Sequence, residues 1–344
     1  MKVITTFAAS GIAALMATSA LAAGETITIN SFGGAYEKAH RQCIIDPFEK
    51  ETGATVQIVT AYSADAFAQL RAQKDAPQFD VIHFSGGQEI VGAKEGLLSP
   101  IDPASLSNAE NLYDIAKTNL AAGEGPAYSI AAIGLVYNAE TAPSKPTKWA
   151  DLFDKAYADH IVLTDISNGY GMLGFLMLNK VRGGTLDDIQ PGLDAVTELL
   201  DNGAIVVNTS PEIQQEFAQN DAWVAPYASD YAFTLRKAGL PSAFVQGEEG
   251  TPASFITANL VAGRDNQELA LKFIDMSISR EAQECFAGEL RYSPTNKTVE
   301  LSDEVAADVA YGEAAVAGLL RFDPTVIEAK RSEWVDAWNR TIAR

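Results

Sequence analysis

Three times in this chain an apolar strand runs out through a glycine-containing turn into a segment of helical periodicity. That repetition limits the fold more than any other feature. The first instance is Thr26-Ile27-Thr28-Ile29-Asn30, followed by Ser31-Phe32-Gly33-Gly34-Ala35-Tyr36. Phe79-Asp80-Val81-Ile82-His83-Phe84 leads likewise into Ser85-Gly86-Gly87, and His160-Ile161-Val162-Leu163-Thr164-Asp165 into Ser167-Asn168-Gly169. At each turn the first N–H groups of the helix lack intrahelical partners, and glycine leaves the approach from outside open. Strands alternating with helices over short connections predict an α/β fold whose sheet is largely parallel and covered on both faces. Ligands of such sheets sit beyond the carboxyl ends of the strands, so the three turns together predict a cleft for a small molecule.

The pattern falls into two blocks. In the first, strands at 26–32, 55–60 and 79–84 alternate with helices at 34–52, 64–74 and 88–95, the first of these helices bent at Pro47. The stretch 127–138 is too long and apolar for a loop and predicts a strand crossing to the second block. There, strands at 160–165, 204–208, 222–227 and 242–246 alternate with helices at 170–182, 186–202, 211–220 and 229–238. The helix at 211–220 has Ser210 as its cap and Pro211 in its first turn. A second crossing strand, 254–262, returns the chain to helices at 264–277 and 280–289 and a turn at 292–296. The tail from 302 reads as helical, with Trp334 and Trp338 a packing pair. The expected domains are lobe 1 at 24–130 plus 260–298 and lobe 2 at 131–259 plus 299–344, joined by a hinge of crossing strands.

Residues 1–23 have the basic start, apolar middle and small-residue exit of a secretory signal peptide, with cleavage expected near Ala22-Ala23. No later stretch approaches the roughly 20 apolar residues that span a bilayer, so the mature chain is expected to be exported and soluble. The full sequence's formal net charge of −20 repels phosphate backbones and anionic lipid, which argues against nucleic acid and membrane surfaces as partners. Cys43 and Cys285 are the two cysteines; in an exported chain their even number favours a disulfide over two separately buried thiols.

The chain contains no Gly-x-Ser-x-Gly elbow, no HExxH and no Walker loop, and no Gly-x-Gly-x-x-Gly stands at its head. His40, His83 and His160 are scattered, which argues against an imidazole-built metal site. Nothing demands an enzyme, and no cofactor is expected.

Together, the exported start, the Ser-Phe-Gly-Gly-Ala-Tyr turn, the Phe79-Asp80-Val81 and Leu163-Thr164-Asp165 strands and the turn Ser293-Pro294-Thr295-Asn296 carry a likeness. The chain resembles the periplasmic solute-binding proteins of ABC importers, and among them the spermidine/putrescine-binding group. The resemblance spans the mature chain and implies a type II-like periplasmic binding protein fold, two α/β lobes closing over one solute about a hinge. It also implies a periplasmic monomer that delivers its small-molecule solute to an inner-membrane ABC permease, and a tail after about Lys297 packed on the second lobe.

In polyamine binders of that group, acids grip the amines at places that fall here near Ile166, Gly169 and Ile256, with aromatic positions near Gly87 and Ser254. This chain has turn glycines, hydroxyls and amides there instead: Ser85, Gly86, Ser167, Asn168, Gly169, Ser254 and Thr257. Such groups at helix starts favour an oxyanion. Asp230, between Tyr227 and Tyr231, is the best-placed carboxylate for an ammonium, with the two rings offering cation–π contact. Asp165, with a helix cap as its alternative role, and Asp65 follow it. Phe32, Gly33, Tyr36 and Tyr62 complete the expected ligand set, each aromatic with core packing as its alternative role. The predicted solute is a small amine, polyamine-like or zwitterionic. Another anion, or a ferric ion on Tyr227 and Tyr231, is the alternative, and a periplasmic enzyme the more distant one. Arg291, before the Ser293-Pro294 turn, is expected in a surface ion pair or beside an anionic solute.

Overall fold

A computed structural model of the chain describes residues 24–122 and 124–343; the expected leader lies outside the described residues. Among the described residues there are ten strands: β1 Thr26–Ser31, β2 Thr55–Thr60, β3 Val81–Phe84, β4 Ala127–Asn138, β5 Val162–Thr164, β6 Ile205–Val207, β7 Val224–Ala228, β8 Ser242–Val245, β9 Thr251–Leu260 and β10 Leu319–Leu320. Eight form one curled sheet in the order β2-β1-β3-β9-β4-β7, with β10 on β9 and β8 on β4; β5 and β6 pair apart.

β1 alternates as its sequence requires, Ile27 and Ile29 fully buried and Thr26 and Thr28 half-buried. It lies parallel to β2, from Thr26 opposite Thr55 to Ser31 opposite Thr60, and parallel to β3 on its other side. The largely parallel character expected of the sheet does not carry through its centre, although β10 lies parallel to β9 and β5 to β6. β9 runs antiparallel to both β3 and β4, and β7 and β8 run antiparallel to β4. A chain that leaves one lobe on β4 and returns on β9 has to run the two in opposite directions, so crossing strands make the sheet mixed.

Two cores meet along β4. All twelve of its residues are buried. Those up to Ala132 join a core with Ile27, Phe48, Tyr128, Phe273 and Phe286, and those from Ile133 onward join Trp149, Phe175, Leu199 and Leu235. Two placements differ from expectation. β9, assigned from sequence to the second lobe as far as Asn259, buries Ala253, Phe255, Ile256 and Ala258 in the first core. The tail is divided: Ala310, Val316 and Leu319 also enter the first core, and Ile327, Trp334 and Trp338 enter the second. It is also not helical throughout, because Leu319 and Leu320 extend β9 before the helix Pro324–Ile342 begins.

Smaller differences have local causes. The first helix is continuous from Gly34 to Thr52 but widens to a π-turn at Arg41–Ile45. Pro47, which has no N–H to donate, follows directly. Pro191 lies in the first turn of Gln190–Asp201, so that helix starts at the proline rather than containing it. Ser210–Gln219 is capped by Thr209 in a reciprocal box with Glu212, not by Ser210. The helix Asp114–Ala121 stands in a stretch whose weak periodicity gave no sign of it.

Cys43 and Cys285 form a disulfide that ties the π-turn to the helix Arg280–Leu290. Asp80, fully buried, accepts from Thr28 N at 2.8 Å and from Arg264 at 2.7 and 3.2 Å, which anchors β3 to the chain leaving β9. Among the described residues no helix is long and apolar enough to cross a membrane.

Candidate functional site

Where the strands of the two lobes end, a cleft of about 650 Å³ opens. The first-lobe side is built from the turns after β1 and β3. Gly33 sits at φ 76°, a left-handed conformation suited to glycine, and a Cβ there would come within 2.9 Å of Thr60. It starts the helix that carries Tyr36, and no side chain caps that start. Phe32 packs on Tyr36 at 4.8 Å and stacks on Tyr62 at 6.1 Å; Tyr62 is 67 % exposed at the mouth. Ser85 and Gly86 follow β3, and Ser254 of β9 donates its hydroxyl to Ser85 O at 2.7 Å.

The second-lobe side consists of Asn168 and Gly169 after β5, Tyr227 at the end of β7, and Asp230 in the first turn of the helix Ser229–Lys237. The structure therefore brings Phe32, Gly33, Tyr36, Tyr62, Ser85, Gly86, Asn168, Gly169, Tyr227, Asp230 and Ser254 to one cavity. Asn168 has a different job from the one expected: its Oδ1 accepts from Tyr170 N at 2.8 Å and Gly171 N at 3.4 Å. The amide donors of that helix start are thus taken by its own cap.

Five residues of the expected ligand set do not line the cleft. Asp165 closes a turn, its Oδ1 accepting from Ser167 N and Oγ at 2.8 and 2.6 Å and its Oδ2 from Trp338 Nε1 at 2.9 Å. Ser167 is spent on that same carboxylate. Tyr231 donates its hydroxyl to Ser210 O behind the wall. Thr257 is buried inside β9, accepting from Asn259 Nδ2 at 2.8 Å. Asp65 is exposed on the helix Ser63–Ala72, away from the cleft. Arg291 is buried against Asp308 and faces neither solvent nor cleft. The two phenols proposed for ferric ion both reach Ser210, Tyr227 at its Oγ at 2.6 Å and Tyr231 at its backbone oxygen, so both hydroxyls already have protein partners.

Sequence reasoning missed several lining residues. Tyr170 is one, although it follows Gly169 much as Tyr36 follows Gly34; Tyr292, just ahead of the Ser293-Pro294 turn, is another. Their rings extend an aromatic cage, with Tyr170 5.5 Å from Tyr227 and Tyr292 5.9 Å from Tyr36. Burial holds the hydroxyls of Tyr36, Tyr170 and Tyr292 above the usual phenol range, so all three stay protonated. Glu89 and Arg321 line the cleft too, with no local signal: one is an acid among many, the other stands in the tail.

Two carboxylates of the cleft are incompletely paired. Asp230 Oδ1 is buried without a hydrogen-bond partner, and burial pushes its carboxyl up to about 7. Glu89 Oε2 is in the same condition, and burial, opposed in part by Arg321, lifts that carboxyl to about 7. Glu89 Oε1 accepts from Asn119 Nδ2 at 3.3 Å and lies 3.8 Å from Arg321. Arg321 in turn donates to Asn119 Oδ1 at 2.6 Å, with its guanidinium 5.2 Å from the Phe255 ring. A buried carboxylate oxygen without a donor is costly alone and becomes favourable when a cation arrives. Chemically, the cleft offers an ammonium a carboxylate and several π faces.

Comparison with known proteins follows the same line. The model of the family described as bacterial extracellular solute-binding protein matches residues 44–313. The spermidine/putrescine-binding periplasmic protein of Escherichia coli is 28% identical over 276 residues, covering 77% of this chain and 78% of that one. The gamma-aminobutyric acid-binding protein of Pseudomonas aeruginosa is 23% identical over 295 residues, covering 82% and 80%. Among solved structures, an ABC transporter protein of Clostridium perfringens superposes with a TM-score of 0.79 at 25% identity, over 92% of this chain and 99% of that one.

Proposed function

This chain belongs to the bacterial extracellular solute-binding proteins, and we propose that it is the periplasmic receptor of an ABC-type importer, capturing a small solute with an ammonium group and passing it to a membrane permease. The observation that carries the reading is Asp230: a carboxylate with one buried, unpartnered oxygen in a cleft lined by Tyr170, Tyr227 and Tyr292. An ammonium entering there pairs with that oxygen and gains cation–π contact from the rings. The relatives named for spermidine, putrescine and gamma-aminobutyric acid support it, since each of those solutes bears a primary amine.

Two observations bear on the far end of the solute. Arg321 and the uncapped helix start at Gly33 favour a carboxylate there, and so a zwitterion. The unpartnered Glu89 oxygen favours a second ammonium, and so a diamine. Both readings share the amine at Asp230. The receptor acts by grasp and release, and the solute leaves chemically unchanged.

A thermal-shift panel of putrescine, spermidine and gamma-aminobutyrate, each beside a form acetylated at every nitrogen, tests the reading. Amines that bind stabilise the protein by about 2.7 kcal/mol at one hundred times Kd, and the acetylated forms do not. A response confined to amine-free anions or to ferric ion overturns the reading. Recovery of a chemically altered solute overturns the receptor class itself.

A further inference from the structure

The helix Ser229–Lys237 brings Asp230 to the cleft from its first turn, and three of its other residues are tied to an ion cluster whose centre, Arg291 and Asp308, is buried. Ser229 Oγ donates to the backbone oxygen of Arg291 at 3.5 Å. The Phe233 ring lies 4.0 Å beneath the Arg291 guanidinium. Arg236 Nη2 donates to Asp308 Oδ2, the same oxygen that accepts from Arg291 Nε at 3.0 Å. Glu304 completes the cluster, accepting from Arg291 Nη2 at 2.9 Å. Arg291 and Asp308 are both buried.

The two sides of this cluster belong to different cores. Ala232 and Leu235 of the helix pack in the second, while Leu290 and Tyr292, on either side of Arg291, pack against the first. Tyr292 is itself part of the cleft wall. Arg291 adopts φ 61° at the end of the helix Arg280–Leu290, and this turn sends its side chain into the ion cluster while its neighbour lines the cavity. Among the described residues, Asp308 is the one carboxylate that touches both arginines.

We propose that Asp308 and Arg291 are positioning residues for the solute, clamping the Asp230 helix of one lobe to the Tyr292 wall of the other so that carboxylate and ring meet the solute together. This rests on Asp230 being the carboxylate that holds the solute. Loss of Asp308 takes the shared carboxylate from Arg236 and leaves the buried Arg291 with the exposed Glu304 in its place, and a buried charge so weakly paired is relieved by the surroundings moving apart. The helix then shifts outward, and water reaches the Asp230 carboxyl.

The test is a carbon-detected NMR titration of the Asp230 carboxyl in solute-free protein, for wild type, Asp308→Asn, Asp308→Glu and Phe233→Leu. Asp308→Asn and Phe233→Leu lower the Asp230 midpoint by about one pH unit or more, as hydration of a desolvated carboxyl requires. Asp308→Glu restores it. Melting temperatures that fall while the midpoint stays fixed overturn the proposal and leave the cluster a purely structural one. Should Asp308→Asn not fold, Phe233→Leu, which leaves every ion in place, decides the matter by the same midpoint. The titration needs no solute, so failure of putrescine and gamma-aminobutyrate to bind counts against the receptor reading and not against this one. Where either probe binds, its Kd rises about tenfold in both variants.

Discussion

The hydroxyls of Tyr170 and Tyr292 meet at 3.4 Å, one side chain from the second lobe and the other from the first. Both rings line the cleft, so the lobes touch through the same side chains that face the solute. Whatever enters between the rings also acts on the contact between the lobes. The two cores and the cleft therefore share this pair of phenols.

Removing one hydroxyl at a time tests that coupling. Tyr170→Phe and Tyr292→Phe keep the ring and its π face but lose the bridge. A hydrogen bond of this kind contributes about 0.5–1.5 kcal/mol, so titration calorimetry should read a Kd raised roughly two- to tenfold. Loss of the full ring, as in Tyr292→Ala, should cost more than the hydroxyl alone.

Binding should depend on pH through Asp230. Burial holds its carboxyl near 7 in the empty cleft, whereas an ammonium binds the ionised form. Affinity for an amine therefore rises with pH until about 7 and then levels, losing about tenfold per unit below. At pH 6 binding releases a proton, measurable as a heat that varies with the ionisation enthalpy of the buffer. Asp230→Asn removes both the release and the slope.

Stability of the empty protein carries two opposed trends. Asp230 and Glu89 are raised in the folded state, so their contribution is present below about pH 4 and is lost as pH climbs through about 7. His83 is lowered to about 4 by burial, and His40 is lowered by burial and by His83 beside it. Their contribution is present above the ordinary histidine range and is lost as pH falls toward 4. Between about 4 and 6.5 the two trends offset. Asp230→Asn with Glu89→Gln removes one of them, so the double variant should gain stability with rising pH across that window in urea melts, where wild type stays nearly flat.

The fold was legible where the pattern is local. The three glycine turns, the crossing stretches and the paired cysteines all depend on neighbours within a few residues or on a plain count. What escaped depends on distant contacts. Asp165 reads as a cleft carboxylate until Trp338, far along the chain, is seen donating to it. Asn168 reads as a ligand group until its own helix start is seen to occupy it. Glu89 and Arg321 meet only because the tail returns along β9, and no spacing in the sequence records that return. Tyr170 was within reach, since its place after a turn glycine repeats that of Tyr36.

The disulfide joins residues 242 apart in sequence. Closing so long a loop stabilises by about 5.5 kcal/mol in the chain-entropy model, and removal of native disulfides typically costs about 2–5 kcal/mol. Cys43→Ser with Cys285→Ser should fall in the lower range in urea melts. The helix bearing Tyr36 and the helix bearing Phe286 are then held together by packing, their rings 5.2 Å apart, and by the exposed hydrogen bond from Gln42 Nε2 to Glu289 Oε1 at 3.0 Å.

The receptor reading turns on one carboxylate, Asp230, taking the solute's ammonium group. Titration calorimetry at pH 8, where that carboxyl is ionised, puts this to the test by comparing wild type with Asp230→Ala against the amine that gives the largest thermal shift. The expected result is a loss of at least about 1.4 kcal/mol, a tenfold rise in Kd, with melting temperature kept or raised because a buried charge has gone. An unchanged Kd in a folded variant would contradict the reading and remove Asp230 from the site.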